Sequence, residues 1–177
     1  MTTAHDHYAL WLLLPEPVET RLSELIRMLA KRHATPAFEP HITLLSRLAG
    51  TKAALCERTA EAARRLEPIA VELDALAHTP AYFRCLFVRV AESAPLLAAH
   101  RAGCELFRIP EDAQFMPHVS LLYGALDAAT KERILDDIGR RLNVRCTVTR
   151  IALVDYRGPP PAWRRVQTFA LGAEAST

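Results

Sequence analysis

One eight-residue phrase occurs twice in this chain. Phe38-Glu39-Pro40-His41-Ile42-Thr43-Leu44-Leu45 returns as Phe115-Met116-Pro117-His118-Val119-Ser120-Leu121-Leu122, 77 residues later. A 177-residue chain that repeats a strand-like octet at such a distance is constrained to fold as two like halves. A β-strand sets residues i and i+2 on one face. His41 therefore points the same way as Thr43, and His118 the same way as Ser120. Two imidazoles and two hydroxyls on one cleft supply an acid, a base and two neutral hydrogen-bond donors. Such a set suits in-line displacement at a phosphodiester without a metal ion.

The signal lies in the whole octet. A lone His-x-Ser/Thr is expected about once by chance in a chain of this composition, and His33-Ala34-Thr35 is such a decoy, placed at a predicted helix end before Pro36. The two octets share the Phe, the Pro and the Leu-Leu tail as well as the His.

Sliding the sequence by the same interval aligns more than the octets. Tyr8–Leu14 falls on Cys85–Ala91, and both read as strands. Apolar Leu22, Leu25, Ile26 and Leu29 share one face of a helix over Val18–Arg32. A second helix covers Ala94–Phe107, with Ser93 as N-cap and Pro95 in its first turn. After each octet comes another helix, Lys52–Leu66 capped by Thr51 and Ala128–Leu142 capped by Asp127. Extended runs follow at Ile69–Leu76 and Val144–Tyr156, with a last strand at Trp163–Leu171. The Thr79-Pro80 turn joins Ile69–Leu76 to Tyr82–Val90 as a hairpin.

The expected fold is α+β, bilobal and pseudo-symmetric: two antiparallel β-sheets face a central cleft, with helices outside. All 177 residues form one domain of two lobes, about 7–80 and 81–171, with strands open to exchange between them.

Composition narrows the partners. A net charge of +2 is too mild for a surface that wraps nucleic acid and fits a small anionic ligand. No apolar run reaches membrane-span length, and the opening Met1–His7 does not read as a secretory signal. Cys56, Cys85, Cys104 and Cys146 are scattered without a C-x-x-C pair, so reduced thiols in a cytoplasmic monomer are expected. No H-E-x-x-H or clustered acidic set offers a metal site, and six glycines leave no phosphate-cradling loop, so no cofactor is expected.

An imidazole with an ordinary pKa of ~6.5 exchanges protons near neutrality. Two of them on opposite sides of a phosphorus divide the work: one takes a proton from water, the other protonates the departing oxygen. Thr43 and Ser120 would hold the non-bridging oxygens.

These features resemble the two-histidine phosphoesterase superfamily, closest to the cyclic phosphodiesterase branch of plants and fungi. The resemblance rests on His41-x-Thr43 and His118-x-Ser120, the opening Tyr8-Ala-Leu-Trp11-Leu, the run Tyr82-Phe83-Arg84-Cys85-Leu86, and Pro117-His118-Val-Ser120-Leu-Leu-Tyr123. It spans roughly residues 7–171. It implies a bilobal fold and metal-independent opening of ribose cyclic phosphates, with ADP-ribose 1'',2''-cyclic phosphate and nucleoside 2',3'-cyclic phosphates as substrates. Carried over, His41 is the acid, His118 the base, and Thr43 and Ser120 the phosphate donors; the two His roles are interchangeable on sequence alone. The resemblance also brings Tyr123 to the site. Regular alternation would turn Tyr123 away from Ser120, so a bulge or strand end must redirect it.

Trp11 and Phe83 are candidates to stack on a base or ribose, with a core role as the alternative. Arg164 and Arg165 follow Trp163, where alternation puts one of them on the cleft side and a solvated strand edge accounts for both. His5, His7, His33, His78 and His100 read as surface or turn residues. Two other functions compete. An enzyme of the 2'-5' RNA ligase type, acting on cyclic RNA ends, would need a basic stripe; only Arg64-Arg65, Arg140-Arg141 and Arg164-Arg165 offer doublets. A module that binds nucleotides without turnover would not need all four polar groups.

Overall fold

The computed structural model describes residues 7–172, so His5 and the first six positions lie outside the described residues. Among the described residues, eight strands and four helices follow in order: β1 Tyr8–Leu13, α1 Val18–His33, β2 His41–Leu48, α2 Lys52–Arg65, β3 Ile69–His78, β4 Leu86–Val90, α3 Ala94–Phe107, β5 His118–Leu122, α4 Ala128–Ile138, β6 Arg141–Val148, β7 Arg150–Asp155 and β8 Arg164–Ala170. The class is α+β, and every strand pairing is antiparallel. The expected pair of sheets takes the form of two four-stranded halves of one sheet, ordered β6-β3-β4-β5-β2-β1-β7-β8. The halves meet where β2 pairs with β5, at Ile42↔Val119.

Local chemistry sets the helix starts. The side chains of Thr51, Ser93 and Asp127 accept from the backbone N–H groups of Ala54, Leu96 and Thr130, at 3.3, 3.3 and 2.8 Å. Each satisfies an otherwise orphaned donor of the first turn. α4 stops at Ile138, short of the expected Leu142, because Gly139 leaves the helical region with φ 94°. The run expected as one strand over Val144–Tyr156 is two strands. β6 pairs with β3 at one edge of the sheet, whereas β7 pairs with β1 in the other half. Alternation alone cannot show where a run changes partners, but burial does: β6 alternates with solvent, while β7 is buried over Ile151–Val154. The hairpin of β3 with β4 forms as expected, except that Tyr82–Arg84 coil into a single 3-10 turn before β4.

The sheet has one helix-covered face and one open face. Leu10 and Leu12 of β1 join the main core with Leu22, Ile26 and Leu29 of α1, Leu55 of α2, Leu96 and Phe107 of α3, and Ile134 and Leu135 of α4. Ala9, Trp11 and Leu13, the alternate residues of β1, cluster with Ala152 and Val154 on the opposite face. The helices also tie the halves together. α1 follows β1 yet packs on β5, and α3 follows β4 yet packs on β2. Cys56, Cys85, Cys104 and Cys146 are free thiols. Among the described residues, no helix is long and apolar enough to cross a membrane.

Ile42 is fully buried at the junction of the halves. Ile42→Ala should therefore cost about 2–5 kcal/mol of unfolding free energy, measured by urea denaturation. A loss under about 1 kcal/mol would mean that the junction carries little of the packing.

Candidate active site

The octet sequence explains the position of each imidazole. Proline fixes its own φ and holds the residue before it extended. The carbonyl of that preceding residue then lies within reach of the histidine two positions on. His41 Nδ1 donates to the Glu39 carbonyl at 2.7 Å, and His118 Nδ1 donates to the Met116 carbonyl at 2.9 Å. A carbonyl oxygen only accepts, so Nδ1 carries hydrogen in both rings and Nε2 is left for the cleft. Each ring also rests on an aromatic of the neighbouring strand. Trp11 stacks on His41 at 3.5 Å and 5°, and Phe87 meets His118 edge-on at 5.3 Å.

A matched irregularity follows the hydroxyls. Along β1 and β2, Trp11 pairs with Thr43 but Leu10 pairs with Leu45, so Leu44 is an extra residue. Along β4 and β5, Phe87 pairs with Ser120 but Leu86 pairs with Leu122, so Leu121 is extra. A bulge of this kind resets the alternation. Leu44 and Leu45 both enter the core, as do Leu121 and Leu122. The next residues, Ser46 and Tyr123, return to the cleft. This is the redirection that Tyr123 required.

His41, Thr43, His118 and Ser120 line one cleft of about 550 Å³, together with Trp11, Phe83 and Tyr123. All seven residues singled out in the sequence are thus brought together. Trp11 is 4 % exposed and belongs both to the core of the open face and to the wall of the cleft. Phe83 is 55 % exposed at the rim. Tyr123 stacks on Phe38 at 3.8 Å, and burial raises its pKa, so its hydroxyl keeps its proton. The Ser120 hydroxyl donates to the Phe83 carbonyl at 3.2 Å.

The sequence reading missed Ser46, Arg47, Arg84, Tyr156 and Trp163 in the lining. Ser46 was within reach, because it falls on Tyr123 when the repeat is extended by one position. Arg47 adopts φ 57° within a second register shift of β2, which no local pattern announces. Among the described residues of the cleft wall, Arg47 and Arg84 are cations and no carboxylate is present.

Electrostatics separate the two imidazoles. Burial of His41, which is 6 % exposed, together with the nearby His118, pushes its pKa down to about 3. Burial also lowers that of the half-buried His118, aided by Arg84 and opposed by the Met116 hydrogen bond. In the free cleft both rings are therefore neutral at pH 7, and His118 is the easier to protonate.

One other expectation is corrected. His100 is not a surface or turn residue: it is 7 % exposed in mid-α3, with Nδ1 donating to the Leu44 carbonyl at 2.9 Å. His7, His33 and His78 are half-buried. Arg165 pairs with Glu39, and Arg164 donates to the Pro161 and Trp163 carbonyls. Arg64 and Arg65 pair with Glu61, Arg140 with Glu132 and Asp136, and Arg141 with Asp74. None of these doublets lines the cleft. Among the described residues, no group of three or more His, Cys, Asp or Glu is placed to hold a metal ion.

Known proteins share both the fold and the sequence pattern. A cyclic phosphodiesterase of Arabidopsis thaliana is 26% identical over 148 residues, covering 78% of this chain and 82% of that protein. The crystal structure of TT0787 from Thermus thermophilus superposes with TM-score 0.62 at 22% identity, covering 95% of this chain and 99% of that one. E. coli LigT complexed with 3'-AMP gives TM-score 0.63 at 17% identity, covering 94% and 98%. LigT complexed with NADP+ gives 0.65 at 19%, covering 96% and 99%. At these identities the solved structures speak for the fold. The family model of the 2'-5' RNA ligase superfamily matches residues 14–160, and the chain belongs to that superfamily.

Proposed function

We propose that this protein is a phosphodiesterase that opens ribose cyclic phosphates by acid–base catalysis, without a metal ion. The observation that carries this reading is that both imidazoles line one cleft with Nδ1 held by the backbone and Nε2 left over, each with a hydroxyl two residues on. Nucleoside 2',3'-cyclic phosphates, opened to 2'-phosphates, and ADP-ribose 1'',2''-cyclic phosphate are the substrates. The similarity to the Arabidopsis cyclic phosphodiesterase supports the reaction class. The LigT complexes with 3'-AMP and NADP+ support a nucleotide-sized ligand on this fold.

The chemistry follows from the groups. A water oxygen attacks phosphorus while a neutral imidazole takes one of its protons at Nε2. The ring P–O bond opposite breaks, and the other imidazole, protonated at Nε2, gives its proton to the departing ribose oxygen. The product is a phosphomonoester, with one water consumed. Thr43 and Ser120 donate to the non-bridging oxygens; Ser120 exchanges its bond to the Phe83 carbonyl for one to phosphate. Arg47 and Arg84 supply positive potential for the anion. Phe83, exposed at the rim, offers aromatic surface to base or ribose, while the nearly buried Trp11 and Tyr123 form the cleft wall beside it.

The resemblance gave the acid to His41 and the base to His118. Burial favours the opposite distribution in the free cleft, where the first proton goes to His118. A bound phosphodiester anion lies against both rings and raises both pKa values. An RNA substrate is less well supported, because the three arginine doublets are engaged elsewhere.

His41→Ala and His118→Ala should each lower turnover at least ~10²-fold, with circular dichroism unchanged. The test is a panel of cyclic mononucleotides, ADP-ribose cyclic phosphate and cyclic-ended oligonucleotides, assayed with EDTA. Wild-type rates from a variant lacking both histidines, or loss of activity on chelation, would overturn the mechanism. The pH dependence should differ between the two rate constants. kcat/KM reports the free enzyme, so it should fall as pH rises through the lowered ionisation of the pair, below 6.5. kcat reports the complex and should hold to higher pH. Coincident profiles would contradict the effect of the bound anion.

A further inference from the structure

We infer that His100, outside the lining of the cleft, is a positioning residue that fixes Thr43 relative to His118; this rests on the reading of the cleft given above. Three contacts converge on its ring. Nδ1 donates to the carbonyl of Leu44, the extra residue of the bulge immediately after Thr43. The ring lies flat on Phe115 of the second octet, at 3.8 Å and 6°. Nε2 faces Cys104 Sγ at 3.6 Å, one turn along α3. A single side chain thereby touches the chain next to Thr43 and the segment three residues before His118.

The arrangement addresses a specific structural need. An extra residue in a bulge has no partner opposite it in the ladder, and its backbone must be satisfied from elsewhere. α3 packs on β2 and provides the donor. The approach is close because residue 103 is glycine: a Cβ there would lie 3.0 Å from Leu45 Cδ1. Gly103 and His100 share the buried face of α3 with Ala99 and Cys104. The relation between Thr43 and His118 cannot be left to the sheet alone, since β2 and β5 pair at one position, Ile42↔Val119. The His100 ring adds a second tie beside it.

Misplacement of a catalytic group by about 1 Å can cost ~10²-fold in rate. His100→Phe keeps a ring against Phe115 and removes the donor. It should lower kcat/KM at least ~10-fold, mainly through kcat, by displacing Thr43. His100→Asn retains an N–H near the Nδ1 position and should restore most of that loss. The decisive measurement is a double-mutant cycle with Thr43→Ala. If His100 acts through Thr43, His100→Phe should cost under about 2-fold in the Thr43→Ala background. An equal loss in both backgrounds, no loss in the wild-type background, or no advantage of Asn over Phe would overturn the inference. Inorganic phosphate affinity, measured across the same variants by calorimetry, should show the same non-additivity and needs no turnover. Phosphate binding with this pattern but no cyclic phosphate hydrolysed would sink the proposed reaction and leave His100 in its role.

Discussion

The hydrogen bond from each imidazole to the carbonyl two residues before it is the interaction on which the site depends. It settles three things together: which nitrogen carries hydrogen, how the ring is turned, and which nitrogen meets the cleft. The proline between donor and acceptor makes the arrangement local, because it removes most of the backbone freedom of that segment. Repeating the device in β2 and β5 leaves Nε2 unengaged by the backbone in both rings without any contact between the rings being required.

The sheet then has to bring the two devices together and keep polar groups on its open face. Strict alternation would count Leu45 and Leu122 among the cleft-facing residues, after His and Thr or Ser, and turn Ser46 and Tyr123 away. The bulges at Leu44 and Leu121 change that count, so Ser46 and Tyr123 join the lining while paired leucines anchor the strands in the core. Stability and site geometry are thus coupled. The leucines that hold the strands down are the ones whose spacing rotates the polar residues up.

Charge and burial work against each other in the free cleft. Two arginines and two imidazoles share a wall that contains no carboxylate among its described residues. Protonation of either ring is opposed by burial, most strongly at His41, and further by its neighbour, His118 once charged for His41 and Arg84 for His118. A site in this condition gains from an anion, which relieves repulsion and favours a protonated imidazole. On the proposed mechanism, substrate binding and preparation of the acid are one event.

Much of this was readable from the residues. The octets carried the strand setting, the doubled imidazoles and the two hydroxyls, while Thr51, Ser93 and Asp127 announced helix starts through chemistry that acts over three residues. Long-range choices were not readable. Nothing local in Val144–Tyr156 says that the chain leaves β3 for β1 at Thr149, and nothing near His100 says that a bulge on β2 will need its donor. Tyr123 lay between these cases: the expected alternation was inconsistent with a place at the site, and the inconsistency marked a real bulge. The central claim, that both imidazoles address one phosphorus, is tested most directly by ¹⁵N NMR of the histidine side chains during titration with inorganic phosphate. The Nε2 resonances of His41 and His118 should move together along one saturation curve. Response of one ring alone, or two curves of different midpoint, would contradict it.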